Sequence, residues 1–401
     1  MFADVALAPP DPILGLSESF KSDPRPGKVN LAVGVYKDAS GSTPVLSAVK
    51  AAERILLEQE QTKGYLPIEG AEGYCRSVRK LLLGEGHVGV DAGWTAHTPG
   101  GTGALRIAAD YLKQNHPGAT VWLSDPTWAN HSAIFAAAGV ETETYPYLDP
   151  ATNTLDFEQM KAALREIAAG DVVLLHGCCH NPTGIDPDVS QWSEIGDILA
   201  DQGVLPLVDF AYQGFGEGLD QDAAGLRALA ERCRELLICS SFSKNFGLYR
   251  DRVGALTVIA DRPEQAAAVG SQIKTSIRRS YSNPPAHGGE VVRTILGDPR
   301  LTAEWNDELT AMRTRINDMR TQFARGLDER GVSLSTQGNG FIGRQNGMFT
   351  MSGLSKGEVQ RLRDDHGIYI VGSGRINVAG MTPENLPVLC DAIASVRGAG
   401  R

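Results

Sequence analysis

Short apolar runs that end abruptly in polar, glycine-rich turns limit most tightly how this chain can fold. They lie at residues 121–124 (Val-Trp-Leu-Ser), 172–175 (Val-Val-Leu-Leu), 205–208 (Leu-Pro-Leu-Val), 236–239 (Leu-Leu-Ile-Cys) and 253–259 (Val-Gly-Ala-Leu-Thr-Val-Ile). Each reads as a strand, with those at 205–208 and 236–239 reading as buried. Helical patterns lie between and around them. From Leu301, apolar residues recur at Trp305, Leu309, Met312, Ile316, Met319, Phe323 and Leu327, always three or four apart, which predicts one long helix ending near Gly331. Ser47 is a candidate cap for a helix over residues 47–61. Strands set among helical patterns read as an α/β fold, and in such folds the turns beyond strand ends carry the chemistry.

The turn after residue 239 is the most telling. Ser241 and Ser243 precede Lys244, and Arg252 lies eight positions beyond it. Hydroxyls and an arginine can hold a phosphate, and a lysine between them can attack a carbonyl. Other turns add matching parts. Gly101, Thr102 and Gly103 open a helical pattern and form a candidate phosphate cradle. Trp128 can stack on a planar ring. Asn181 can donate to a phenolate, in an Asn-Pro turn that is a candidate cis peptide. Asp209 can pair with a protonated ring nitrogen, and Tyr212 is placed to reach the ring's other side. Arg375, between Gly374 and apolar residues, needs an anion and suits a carboxylate. Taken singly, each has a plainer reading as a solvated lysine, a core tryptophan, a capping aspartate or a structural ion pair. His176 and His180 have metal-pair spacing only if helical, and this stretch reads as strand and turn. Residues 276–285 read as a loop with two adjacent arginines, and Gly34, in a strand-like stretch over 29–36, allows close backbone approach.

Composition narrows the classes. The 401 residues are 42% hydrophobic and 21% charged, values of a soluble globular chain with roughly two to three domains. A net charge of −10 argues against nucleic acid or an anionic membrane as partner. Six cysteines without a C-x-x-C spacing, two of them adjacent at Cys178 and Cys179, read as buried thiols of a reducing compartment, with no metal site. Neither a signal peptide nor a membrane span is seen, so the cytoplasm is expected.

Together and in order, these stretches resemble the class I aminotransferases of fold type I, in the aspartate and aromatic amino acid branch. The resemblance rests on residues 98–106, 176–184, 209–215, 241–254 and 372–380 and extends over essentially the whole chain. It implies a large pyridoxal-phosphate-binding domain over 44–310 with a mostly parallel seven-stranded sheet. It implies a smaller α/β domain from 13–43 and 311–401, opening with the long bridging helix, and an N-terminal arm over 1–12. Lys244 would bond the cofactor's aldehyde and shuttle the proton. Asp209 would hold the pyridine nitrogen, Asn181 and Tyr212 the phenolic oxygen, and Trp128 would stack on the ring. Gly101, Thr102, Gly103, Ser241, Ser243 and Arg252 would hold the phosphate, with Tyr65 reaching it from the partner subunit. Arg375 would bind the substrate α-carboxylate, helped by Asn181, Trp128 and Gly34. Arg278 of the partner would bind a side-chain carboxylate, giving a homodimer with shared sites. Val35, Lys37, Thr43, Thr102 and Asn283 look like the aspartate branch, residues 65–70 look more like the aromatic branch, and Gly64 fits neither.

The implied reaction is transamination between aspartate, with tyrosine or phenylalanine as further substrates, and 2-oxoglutarate. A primarily aromatic aminotransferase is the alternative. A β-lyase or decarboxylase on the same fold fits two carboxylate clamps poorly. A regulatory effector-binding module would need a helix-turn-helix segment that is not seen. A dinucleotide enzyme would need a glycine fingerprint after a first strand, which is missing.

Overall fold

The computed structural model describes residue 2, residues 5–8 and residues 14–398. Seven strands form the main sheet: β1 (Trp94–Pro99), β2 (Val121–Asp125), β3 (Thr142–Pro146), β4 (Val172–His176), β5 (Leu205–Phe210), β6 (Leu236–Ser241) and β7 (Val253–Ile259). Their order is β1-β7-β6-β5-β4-β2-β3. Pairing from β6 to β3 is parallel, and β7 runs against both of its neighbours. This is the mostly parallel seven-stranded α/β sheet that the resemblance implies. β4, β6 and β7 are buried at every position, which is why they read as unbroken apolar stretches.

The two outer strands left no such signal. β3 is an edge strand with only Tyr145 buried. β1 is buried but carries polar side chains. Its Thr95 shares a hydroxyl hydrogen bond of 2.9 Å with Thr257, and its His97 packs on Tyr74.

Four helices bear on the site: α1 (Ser47–Gln59), α2 (Gly100–Asn115), α3 (Pro263–Ser280) and α4 (Pro299–Asp328). Ser47 does not cap α1. The Glu308 carboxylate on α4 accepts from the backbone N–H of Ser47 at 2.6 Å and of Ala48 at 3.1 Å, placing an anion at the helix's positive end. Residues 276–280, expected in a loop, form the last turn of α3. Arg278 and Arg279 there face the helix's negative end, where cations are favoured. α4 is the expected long helix, 30 residues and roughly 45 Å at the usual rise. Asp298 caps it, accepting from Arg300 N–H at 2.8 Å, and Gly331 follows its end with φ +66°.

A second group of elements pairs Val29–Asn30 in parallel with Ile368–Tyr369, and Phe349–Met351 antiparallel with Arg375–Asn377. The strand expected over 29–36 stops at Asn30 because side chains take over its carbonyls. Arg375 donates to Ala32 O at 2.7 Å, and Asn377 Nδ2 to Val33 O at 2.7 Å and Val35 O at 2.9 Å. Thr382 caps the last helix, Asn385–Gly398, accepting from Asn385 N–H at 3.2 Å. Most of the expected N-terminal arm lies outside the described residues; Phe2, Val5 and Leu7 within it are exposed. Among the described residues no helix is long and apolar enough to cross a membrane.

α4 also supports the lysine loop. The Trp305 indole N–H donates to Asn245 O at 2.7 Å, and its ring stacks on Phe246 at 4.2 Å. Trp305 is fully buried. Trp305→Phe should therefore lower the unfolding free energy by the cost of one unsatisfied buried acceptor plus a packing defect, about 1–3 kcal/mol, read as a lower denaturant midpoint at unchanged slope. An unchanged midpoint would show that α4 gives that loop no support.

Candidate active site

The carboxyl ends of the parallel strands converge on one cavity of ≈ 380 Å³. β6 delivers Ser241, Ser243 and Lys244, β5 delivers Asp209 and Tyr212, β4 leads to Asn181, and β2 leads to Trp128. Gly101 and Thr102 enter from the start of α2, Arg252 from the turn before β7, and Gly34, Phe349 and Arg375 from the second group of elements. A larger cavity of ≈ 570 Å³ opens at the opposite ends of the strands, lined by Val172, Leu205 and Leu236 among others, and receives none of these side chains.

One end of the cavity has the donors that an anion cradle needs. The first turn of α2, the hydroxyls of Ser241 and Ser243, and Arg252 surround it. Arg252 donates to Tyr249 O at 3.1 Å and to Ser243 Oγ at 3.4 Å, and holds φ +55° in the left-handed region. Glycines make room for it. A Cβ on Gly100 would come within 2.6 Å of Arg252 Nη2, and one on Gly101 within 2.9 Å of Ser241 Cβ. Gly103, expected in the cradle, does not line the cavity; it is the fourth residue of α2 and lies against the Pro99 ring.

Lys244 lies at the centre. Its Nζ is 4.8 Å from the centroid of the Tyr212 ring. Burial, with Arg252 and Arg375 nearby, pulls its ammonium down to about 8 against the opposing effect of Asp209. Burial by itself would raise the Asp209 carboxyl. The hydrogen bond from His131 and neighbouring positive charge, Lys244 included, outweigh it, and the group stays below the usual carboxylate range.

A hydrogen-bonded chain fixes Asp209, and one assignment of protons satisfies every link. Asn181 N–H donates to His176 Nδ1 at 3.3 Å, and His176 Nε2 donates to Thr127 Oγ1 at 3.2 Å. The Thr127 hydroxyl donates to His131 Nδ1 at 2.8 Å, and His131 Nε2 donates to Asp209 Oδ2 at 3.1 Å. Burial takes His176 down to about 3, so it remains neutral and keeps this tautomer. Asn181, in a cis Asn181–Pro182 bond, has a second task. It donates to Tyr212 OH at 3.4 Å and accepts from Arg375 Nη1 at 3.0 Å. Arg375 stacks on Phe349 at 4.2 Å, is buried, and its Nε has no partner among the described residues.

His131, Thr127, Tyr249 and Phe349 were not singled out by sequence, since their partners are remote along the chain. Tyr65 and Arg278, expected to enter the site of the partner subunit, do not line the cavity of their own chain. Tyr65 is 94% exposed. Arg278 hydrogen-bonds Ser282, and Asn283 ties that turn to Leu66 O at 2.7 Å, so both residues stand on one outer surface. Cys178, Cys179 and Asp222 bring ligand-type atoms within 4.8 Å of one another. The Asp222 carboxylate, however, accepts four backbone N–H groups, of Gly214, Gly216, Glu217 and Gly218, and burial pushes both thiols up. Its evident task is to hold a turn.

A family model, Aminotransferase class I and II, matches residues 26–393. The aspartate aminotransferase of Salmonella typhi is 53% identical over 398 residues, 99% of this chain and 100% of the relative. The aromatic-amino-acid aminotransferase of Pseudomonas aeruginosa is 48% identical over 400 residues, 98% of each chain. The crystal structure of the aromatic-amino-acid aminotransferase from Burkholderia pseudomallei, covalently bound to pyridoxal phosphate, superposes with a TM-score of 0.94 at 47% identity, covering 99% of both chains.

The position of Lys244 has a measurable cost. Between pH 8 and 10.5 the unfolded chain holds more of this proton than the folded one, so stability rises with pH across that window. Below pH 8 the whole penalty is present, about 3 kcal/mol. Lys244→Met removes it. The cofactor-free variant should be more stable than the cofactor-free parent at pH 7 by up to that amount, with the difference closing towards pH 10.5. A difference that does not change with pH would mean that the amine sits in water.

Proposed function

The chain belongs to the class I and II aminotransferases, is a pyridoxal-phosphate-dependent transaminase, and from that premise we propose that it moves the amino group between aspartate and 2-oxoglutarate. The products are oxaloacetate and glutamate, and tyrosine and phenylalanine serve as further donors. The observation that carries this reading is the buried Arg375. It lines the Lys244 cavity, and among the described residues its guanidinium donates only to the neutral oxygens of Asn181 and Ala32 and to no carboxylate, so its charge calls for a substrate carboxylate.

The cavity fits the cofactor. Gly101, Thr102, Ser241, Ser243 and Arg252 would hold its phosphate, in a cradle that only glycines leave open at positions 100 and 101. Asp209 would face the ring nitrogen, Asn181 and Tyr212 the phenolic oxygen, and Trp128 one ring face. When bound, pyridoxal phosphate supplies the electron sink for the charge left by loss of the α-proton. The chain does the rest. Asp209, held ionised, would favour a protonated ring nitrogen. Lys244, whose ammonium is drawn down to about 8 in the cofactor-free chain, would take the α-proton as base and later give it back as acid. Arg375 and Asn181 fix the α-carboxylate so that this proton faces the amine.

The reading includes a homodimer. Tyr65 and Arg278 share an exposed surface away from their own cavity, where they would enter the partner's site. It also includes a large unit over 44–310, a small one from 13–43 and 311–401, and a cytoplasmic location, for which six free thiols fit a reducing compartment. An aromatic preference is the second reading, favoured by the resemblance of residues 65–70 to that branch.

Two experiments test this. Arg278→Leu should lose kcat/KM for aspartate by about 2–5 kcal/mol while sparing phenylalanine, whereas Arg375→Lys should damage both. Equal losses in Arg278→Leu would make that arginine structural. Lys244→Ala and Arg278→Asp, each inactive towards aspartate alone, should regain activity when mixed as heterodimers, because one of the two shared sites then carries neither change. No recovery in verified heterodimers would place each site within one subunit.

A further inference from the structure

Tyr249 lines the cavity, yet none of the roles above is its own. Its backbone carbonyl accepts from Arg252 at 3.1 Å, in the loop that forms the anion cradle. Its side chain makes a separate contact. The phenol oxygen accepts from the backbone N–H of Tyr36 at 3.0 Å, a contact between residues 213 apart.

Tyr36 belongs to the segment that carries Gly34. That segment is bound to the substrate arginine: Ala32 O accepts from Arg375 Nη2 at 2.7 Å, and Val33 O and Val35 O accept from Asn377 Nδ2. Gly34 presses against the Phe349 ring, where a Cβ would come within 2.7 Å, and Phe349 in turn lies under the Arg375 guanidinium. Residues 32–36, Phe349 and Arg375 are therefore one packed unit. The Tyr36 carbonyl is taken by Thr43 Oγ1 at 3.0 Å, and its N–H by Tyr249. Tyr36 itself is 5% exposed, so that N–H needs a partner.

We infer that Tyr249 is a positioning residue, whose hydroxyl latches the 32–36 segment to the cofactor loop and so holds Arg375 and Gly34 ready for the substrate carboxylate. This rests on the reading of Arg375 as the α-carboxylate site. Without the latch the Tyr36 N–H is better satisfied by water, and the segment spends part of its time displaced. Ligand affinity then falls by the fraction of molecules still in place. The latch acts on the carboxylate common to all substrates, not on the side chain that distinguishes them. Burial lifts the phenol to about 12, so the latch operates as a neutral hydroxyl throughout the working range and adds no pH dependence of its own.

The test compares wild type, Tyr249→Phe and Arg375→Lys as holoenzymes. The probes are succinate, with two carboxylates, and 3-phenylpropionate, with one carboxylate and an aromatic ring. Calorimetry gives both dissociation constants, cofactor absorbance gives occupancy, and kinetics separates KM from kcat. Tyr249→Phe removes one oxygen and should weaken both probes by the same factor, about tenfold for a lost buried hydrogen bond. KM should rise with it, kcat should stay within about twofold of wild type, and cofactor occupancy should be unchanged. Wild-type affinities in Tyr249→Phe would overturn the latch, as would loss of cofactor, which would place its action on the cradle instead. If Arg375→Lys binds both probes normally, the carboxylate reading itself fails, and the latch fails with it.

Discussion

Arg375 reaches across the chain to donate to Asn181 Oδ1 at 3.0 Å, and the working site depends on that contact. Arg375 belongs to the second group of elements and Asn181 to the turn after β4. Through its backbone N–H, Asn181 is also the first link of the histidine chain that ends on Asp209. One asparagine thus joins the residue suited to hold the substrate to the residue suited to hold the ring nitrogen. Loss of this contact would leave a buried guanidinium and a buried amide short of partners together, which is far more costly than losing a surface hydrogen bond. The cavity is held in register by polar contacts between segments that share no sequence neighbourhood.

Close backbone approach is the second constraint. Where β7 runs against β1 and β6, Gly254 faces Thr98 and Ser241, and a Cβ there would come within 2.4 Å of the Gly100 carbonyl carbon. Gly100 has φ +77°. The antiparallel strand thereby brings Arg252, at its start, onto the opening turn of α2 and the serines after β6. A parallel strand at that position would end, not begin, at this edge, and would carry Arg252 to the far side of the sheet.

Much of this was legible in the sequence for a physical reason. A strand buried on both faces must be apolar throughout, so β4, β5, β6 and β7 stood out, and the polar groups just past their ends stood out by contrast. β1 and β3 were hidden because one buries hydroxyls and imidazole and the other faces water. The last turn of α3 was read as a loop because its arginines and serines look like turn residues, although cations are favoured at a helix's negative end. Contacts closed by chain folding left no local signal. Glu308 caps a helix 261 residues away, His131 meets Asp209 over 78 residues, and Tyr249 meets Tyr36 over 213. Gly103 was read as part of the cradle because three consecutive small residues look equivalent in sequence, whereas the turn of α2 rotates the third of them away from the cavity.

The same arrangement explains how an acidic protein can take acidic substrates. The chain carries a net charge of −10, yet the cavity gathers Lys244, Arg252 and Arg375 against Asp209, the one carboxylate that lines it among the described residues. Burial is the main influence that lowers the Lys244 ammonium; Asp209 opposes it, and Arg252 and Arg375 add to the lowering. The arginines keep their own protons and so stay charged for the anionic groups of cofactor and substrate. Binding and proton transfer draw on one local field, set against the overall charge of the molecule.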